Sequence, residues 1–164
     1  MVVMRDGSIV LTSRINLVVN GKSHALDLSP NEPLLDVLRE RLCLFGAKRG
    51  CDTGGCGCCT VLVDNKAVYS CMTFALSLND KQITTVEGLV SDGKADPLQE
   101  AFVKTGAIQC GYCTSGMIMN AKSLLISKSS PTEEEIRKAI SGNLCRCTGY
   151  QKIIEAVKMA AQHL

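Results

Sequence analysis

Short apolar runs separated by turn signals fill the first half of the chain, and apolar residues at helical spacing fill the second. Residues 15–19 and 25–28 are apolar-rich runs on either side of Asn20-Gly21, two residues that tolerate positive φ, so they predict a β-hairpin. Residues 33–42 (PLLDVLRERL) carry apolar side chains at helical spacing, with Asn31 placed to cap and Pro33 near the first turn. Residues 60–63 and 67–70 flank Asp64-Asn65 as a second hairpin, and residues 83–89 read as a last strand. Residues 90–96 (VSDGKAD) are polar and contain glycine, the mark of a linker. Beyond it, residues 97–104, 116–127, 132–141 and 153–162 make four predicted helices. Pro131-Thr132 followed by Glu133, Glu134 and Glu135 is a helix start, with acids at the positive end of the dipole. The fold class predicted is α+β. A strand-rich domain spans residues 14–90 and an all-α domain residues 91–164, with residues 1–13 as an N-terminal extension.

The cysteines add chemistry to this outline. Eight of the ten fall into two sets of four. Cys51, Cys56, Cys59 and Cys71 read C-x4-C-x2-C with a fourth cysteine further on. Four thiolates are what one [2Fe–2S] cluster needs, and this is the spacing of plant-type ferredoxins. Strands around one helix, with three cysteines in a loop, suggest by analogy the β-grasp fold of those ferredoxins. Within residues 50–59 (GCDTGGCGCC) the glycines let the chain approach closely and aim backbone N–H groups at cluster sulfurs. Such hydrogen bonds favour the more negative, reduced state. The second set is Cys110, Cys113, Cys145 and Cys147, a C-x2-C pair answered by C-x-C at the ends of predicted helices. By spacing alone it suits a cluster, a zinc site, or a thioredoxin-like redox pair at Cys110-Gly111-Tyr112-Cys113. A redox pair normally follows a strand in a βαβ unit, and none is visible; zinc stays open.

Composition fits a metal-stapled chain. Apolar residues make up 46 % and charged residues 21 %, enough for a core, but aromatics are only 4 % and tryptophan is absent. Small domains with thin cores commonly need staples. The formal charge of +2 counts cysteines as neutral. An oxidised core with four thiolates carries roughly −2, so a chain holding two becomes net negative. Basic residues cluster only at Lys48-Arg49, and no aromatics interleave with them, which gives nucleic-acid binding no support. Met1-Val2-Val3-Met4 is interrupted at once by Arg5 and Asp6, so no signal-peptide core is expected, and no apolar run reaches membrane-span length. A cytoplasmic location follows as the expectation, in a reducing compartment that keeps thiolates available.

Three segments carry a family resemblance: residues 50–61 (GCDTGGCGCCTV), 109–117 (QCGYCTSGM) and 142–150 (GNLCRCTGY). They resemble the signature segments of the small iron–sulfur subunit of molybdenum hydroxylases, the xanthine oxidase family. The resemblance runs from about Arg14 to the C-terminus and matches ligand for ligand at the eight cysteines. It implies a β-grasp ferredoxin domain followed by a four-helix-bundle domain, each with one [2Fe–2S] cluster. It also implies a large partner subunit with a molybdenum–molybdopterin cofactor, a medium subunit with FAD, and a dimer of heterotrimers. The implied function is electron transfer between the molybdopterin site and FAD or an external acceptor, with the substrate chosen on another polypeptide. Gln109, next to a ligand, becomes the candidate for a polar contact to the pterin.

Two positions depart from the family pattern. Cys58 stands where alanine is usual and reads as a small buried side chain. Ser115 stands where many members have proline, and it or Thr114 could cap the following helix. Cys43, on the first predicted helix, reads as a core residue. His24 reads as a strand surface residue and His163 as a frayed end; neither neighbours a cysteine set, which disfavours Rieske ligation. No dinucleotide or phosphate motif appears, and no nucleophile–base constellation can be assembled, so no substrate site is expected on this chain. The rival readings are a free-standing two-cluster ferredoxin-like carrier and a metal-stapled interaction protein.

Overall fold

The structure is a computed structural model that describes residues 2–3 and 9–163. Met1, Arg5 and Asp6, on which the reading of the N-terminus turns, lie outside the described residues. Two short strands, β1 (Val2–Val3) and β2 (Ile9–Val10), pair antiparallel with each other.

The sheet is built by two hairpins and one inserted strand. β3 (Ser13–Val19) and β4 (Lys22–Leu28) turn at Asn20 and Gly21, whose φ values of 50° and 75° suit the tight turn predicted there. Alternate residues of β3, namely Ile15, Leu17 and Val19, are buried, the period of a strand with one face in a core. β5 (Thr60–Val63) and β6 (Lys66–Tyr69) turn at Asp64 and Asn65, with φ values of 48° and 67°. β7 (Gln82–Thr84) lies between the hairpins, parallel to β3 and antiparallel to β5. The strand order is β4-β3-β7-β5-β6, a mixed five-stranded sheet.

Residues 83–89 therefore do not form one strand, as the sequence predicted. Pairing ends at Thr84, and Val86–Leu89 is a 3₁₀ turn. The cause is Thr85, fully buried and bonded through both its amide and its hydroxyl to the Asn20 side chain, each at 2.9 Å. Those bonds draw the chain out of the sheet, and the amide of Gly88 then closes on the Thr85 carbonyl at 2.9 Å.

A short helix packs on the sheet. α1 (Leu34–Asp36) runs on into a π-helical turn, Val37–Arg41. Leu34, Leu35, Val37 and Leu38 are all buried completely against Leu17, Val19, Leu28, Val61 and Ile83. The wider turn ends the helix early. Cys43 adopts a φ of 55°, and the Leu44 amide bonds back to the Leu38 carbonyl at 2.8 Å. This resembles a Schellman closure, with the left-handed residue pointing outward. Cys43 is thus exposed and lies beyond the helix rather than in the core; Leu42 and Leu44 turn inward instead.

After the last sheet strand the connection 91–96 makes a tight turn at Asp92 and Gly93 and delivers Asp96 as a helix cap. α2 (Pro97–Lys104), α3 (Thr114–Ser127), α4 (Glu133–Ile140) and α5 (Gln151–Ala161) follow. Capping boxes start α2 (Asp96 with Gln99) and α4 (Thr132 with Glu135). Leu98, Phe102, Met117, Ile136, Ile153 and Ile154 form the centre of a second core. α3 also lies along β5, and Ser123 on it bonds the β5–β6 turn through the Ala67 amide and the Asn65 carbonyl. None of the helices among the described residues is long and apolar enough to cross a membrane.

Candidate metal centres

The first cysteine set is assembled by a loop and a hairpin. Cys51 and Cys56 come from the coil between α1 and β5; Cys59 immediately precedes β5, and Cys71 sits in the 3₁₀ turn Ser70–Met72 after β6. Ser70, fully buried, donates from its hydroxyl (2.7 Å) and its amide (3.3 Å) to the Cys59 carbonyl. That ties the last two cysteines together, and their sulfurs stand 3.4 Å apart. At the other end the Thr53 amide donates to Cys51 Sγ at 3.4 Å, with the Cys56 thiol also bonded to it. The amide bond from Thr53 is the main reason the Cys51 thiol is pushed down to about 6. Burial, then the neighbouring Cys59, pushes Cys71 up to about 11. All four cysteines line one small cleft together with Leu35 and Lys48.

The second set is assembled by helix ends. Cys110 and Cys113 lie in the turn that opens α3, and Cys145 and Cys147 in the loop between α4 and α5. That loop is wound around Tyr150, which takes a φ of 68°. The Tyr150 hydroxyl accepts from the Cys145 amide at 2.8 Å and donates to the Asn143 carbonyl at 3.0 Å. Cys110 and Cys147 are exposed, with sulfurs 3.6 Å apart. Cys113 is buried and hydrogen-bonds Cys145. Burial first, then Cys145, pushes the Cys113 thiol up to about 12. Burial also acts to raise Cys145, but bonds from the Thr148 hydroxyl and amide outweigh it and leave that thiol lowered.

Each set therefore converges two by two: Cys51 with Cys56 and Cys59 with Cys71; Cys110 with Cys147 and Cys113 with Cys145. A [2Fe–2S] core needs two thiolates at each iron, which is this arrangement. A structural zinc ion needs four ligands at one point. The donor sets fit binuclear clusters.

The remaining sequence-marked residues fall as follows. Cys58 is 5 % exposed, packed with the helical core, its thiol pushed up to about 12 mainly by burial. Neither Thr114 nor Ser115 caps α3, contrary to expectation; the helix starts at Cys113 without a side-chain cap. The Ser115 hydroxyl instead faces the Lys48 amine at 3.4 Å. Gln109 is exposed beside Cys110. His24 lies half-buried on β4 and His163 is exposed beyond α5. Sequence reasoning missed Ser70, Asn143 and Tyr150. The last two stand inside the segment GNLCRCTGY, where attention went to the cysteines.

Comparison with known proteins agrees with this geometry. Residues 17–88 match the 2Fe-2S iron-sulfur cluster binding domain, and residues 85–158 match the [2Fe-2S] binding domain. The chain is 49 % identical over 148 residues to the nicotinate dehydrogenase small FeS subunit of Eubacterium barkeri, covering 90 % of this chain and 94 % of that one. It is 51 % identical over 143 residues to the nicotine 6-hydroxylase small subunit of Paenarthrobacter nicotinovorans, covering 87 % and 86 %. Among solved structures, a chain of quinoline 2-oxidoreductase from Pseudomonas putida 86 superposes with a TM-score of 0.88 at 42 % identity, covering 92 % of this chain and 94 % of that one. Paired thiol sets, two matching cluster-binding domains and near full-length relatives agree: the chain belongs to the small [2Fe–2S] iron–sulfur subunits of the molybdenum hydroxylase family.

Proposed function

We propose that this chain is the electron-transfer subunit of a heteromeric molybdenum hydroxylase. It relays single electrons between the molybdopterin site of a large subunit and FAD or an external acceptor. Cys51, Cys56, Cys59 and Cys71 hold one [2Fe–2S] cluster, and Cys110, Cys113, Cys145 and Cys147 hold the other. The observation that carries this is the two-by-two pairing of sulfurs in both sets. A bound cluster supplies one-electron chemistry at a potential its surroundings set. The chain's own part is to present thiols, to shield Cys59 and Cys113 from water, and to leave Cys110 and Cys147 open at the surface.

The finer architecture belongs to the same reading. Residues 14–90 form a β-grasp ferredoxin-type domain and residues 91–164 a four-helix domain, with residues 1–13 an added N-terminal segment. The second set faces the large subunit, and Gln109, exposed next to Cys110, is the polar contact offered to the pterin. A medium FAD-binding subunit, a dimer of heterotrimers and a cytoplasmic location complete it. A free-standing carrier is disfavoured, because relatives matched over most of their length are named as subunits.

The test is co-expression of a tagged chain with its large-subunit neighbour. A stable complex containing molybdopterin supports the proposal. A monomer that carries both clusters and binds no partner overturns it in favour of the carrier.

A further inference from the structure

Among the described residues, a cation without a carboxylate partner reaches from the loop of the first cysteine set to the helix that follows Cys113 of the second. Lys48 lines the cleft of the first set, and its amine reaches the Ser115 hydroxyl, two residues past Cys113 of the second. A second bond, to the Gly46 carbonyl at 3.3 Å, holds the amine there. The backbone is fixed as well. The Lys48 amide donates to the Cys58 carbonyl at 3.1 Å, and the Arg49 carbonyl accepts from the Tyr112 hydroxyl at 2.6 Å. Residues 48 and 49 thus form a strap between the two loops.

Among the described residues, Arg49, Arg146 and Lys152 are engaged or in water. Arg49 is bridged by Asp36 and Asp52. Arg146, between Cys145 and Cys147, is exposed, as is Lys152. The nearby carboxylate Glu87 takes the Gly46 amide (2.6 Å) and the Thr85 hydroxyl (2.6 Å) rather than the lysine. Among the described residues, no carboxylate lies within ion-pair distance of Lys48. A half-buried charge of this kind acts at lower effective dielectric than an exposed one and is screened less by salt.

We propose that Lys48 is the shared counter-charge of the two clusters and holds both of their reduction potentials up. The proposal rests on the ligand assignment above. Reduction adds one negative charge at a set, and a fixed cation near both loops favours the more negative, reduced state at either. Ser115 supplies the anchor that a proline at this position could not, since proline has no hydroxyl. Lys48 is therefore a positioning residue for charge and touches no substrate.

The experiment is a potentiometric titration of the assembled complex, read by electron paramagnetic resonance at each cluster signal. Wild type, Lys48→Met and Lys48→Arg are compared, with iron and acid-labile sulfide measured on the same samples. Two signals in the wild type test the two-cluster reading independently; their absence would sink that reading and the proposal with it, whereas failure of the proposal alone shows with both signals present. With it established, Lys48→Met is expected to lower both midpoints at unchanged iron content, and Lys48→Arg to restore most of each shift. Unmoved midpoints, or a shift at one signal alone, overturn the proposal. Should Lys48→Met take up less iron, Ser115→Ala is the second arm, because it removes the anchor and leaves the lysine. It is expected to lower the second signal's midpoint, and no shift there overturns the proposal equally.

Discussion

The backbone amide of Leu144 donates to the carbonyl of Cys56 at 2.9 Å. Leu144 immediately precedes Cys145 of the second set, and Cys56 belongs to the first, so one hydrogen bond joins the backbones of two ligand loops from the two halves of the chain. Asn143 reinforces it by donating from Nδ2 to the Gly57 carbonyl at 2.8 Å, and Tyr69 does so by donating from its hydroxyl to the Gly142 carbonyl at 3.1 Å. The thiols are thus held in mutual register by backbone as well as by packing.

Asn143 is the first place to test this seam. It is wholly buried, it also accepts from the Asn120 side chain, and its amide shares the Gly57 carbonyl with the hydroxyl and amide of Thr60. Asn143→Ala removes the bond to Gly57 and strands the Asn120 side-chain amide at a buried site, a cost of about 2 kcal/mol. The expected result in thermal unfolding is a clear fall in Tm. Gly116 gives an independent probe, because a Cβ there would lie 2.2 Å from the Gly57 carbonyl oxygen, a backbone atom that cannot step aside. Gly116→Ala should destabilise by about 1–3 kcal/mol. Gly55→Ala is the control, since its nearest neighbour would be Thr53 Oγ1 at 3.7 Å. An equal loss at Gly55 would show that the loop, not the seam, is sensitive.

Much of this fold was legible because local signals and tertiary demands agree. Asn20-Gly21 and Asp64-Asn65 require positive φ and turn where they stand, and the acidic start at Thr132 caps a helix. The cysteine sets were legible for the same reason, since spacing fixes which thiols one loop can deliver together. What the sequence hid was decided by distant partners. Thr85 leaves its strand because Asn20, far away along the chain, bonds it. Cys43 leaves the core because a π turn shifts the helix end by one residue, which no periodicity reveals. Ser115 looked like a cap, yet its hydroxyl meets Lys48 across the seam.

Ligand choice in the first loop is a separate prediction. Cys59 stands 3.4 Å from Cys71, whereas Cys58 is packed with the helical core. Cys58→Ala should keep the first cluster's paramagnetic signal, while Cys56→Ala or Cys59→Ala should abolish or badly distort it. Loss of that signal on removing Cys58, with Cys59→Ala harmless, would reverse the assignment.

Metal content follows from two paired sets. A natively prepared chain should hold about four irons and four labile sulfides, with two distinguishable signals after reduction. Chelation and acid treatment should remove both and lower the unfolding temperature, because metal–thiolate bonds made only in the folded state add to its stability. Stoichiometric zinc in place of iron would contradict the pairing.

The open edge of the second set gives the last prediction. Cys110 and Cys147 are exposed, while Cys113 is buried, so this centre presents one thiol pair outward. Gln109 stands beside that edge, exposed. An exposed side chain with no partner among the described residues contributes little to stability, so Gln109→Ala should leave the unfolding free energy within about 0.5 kcal/mol of wild type and leave iron content unchanged. If its amide meets the partner's pterin, the same variant should slow bleaching of the iron–sulfur absorbance when substrate is added anaerobically to the complex. Gln109→Glu separates contact from bulk, since it keeps the shape but replaces a donor with a charge. Bleaching at the wild-type rate in both variants would place Gln109 outside the route by which electrons enter this chain.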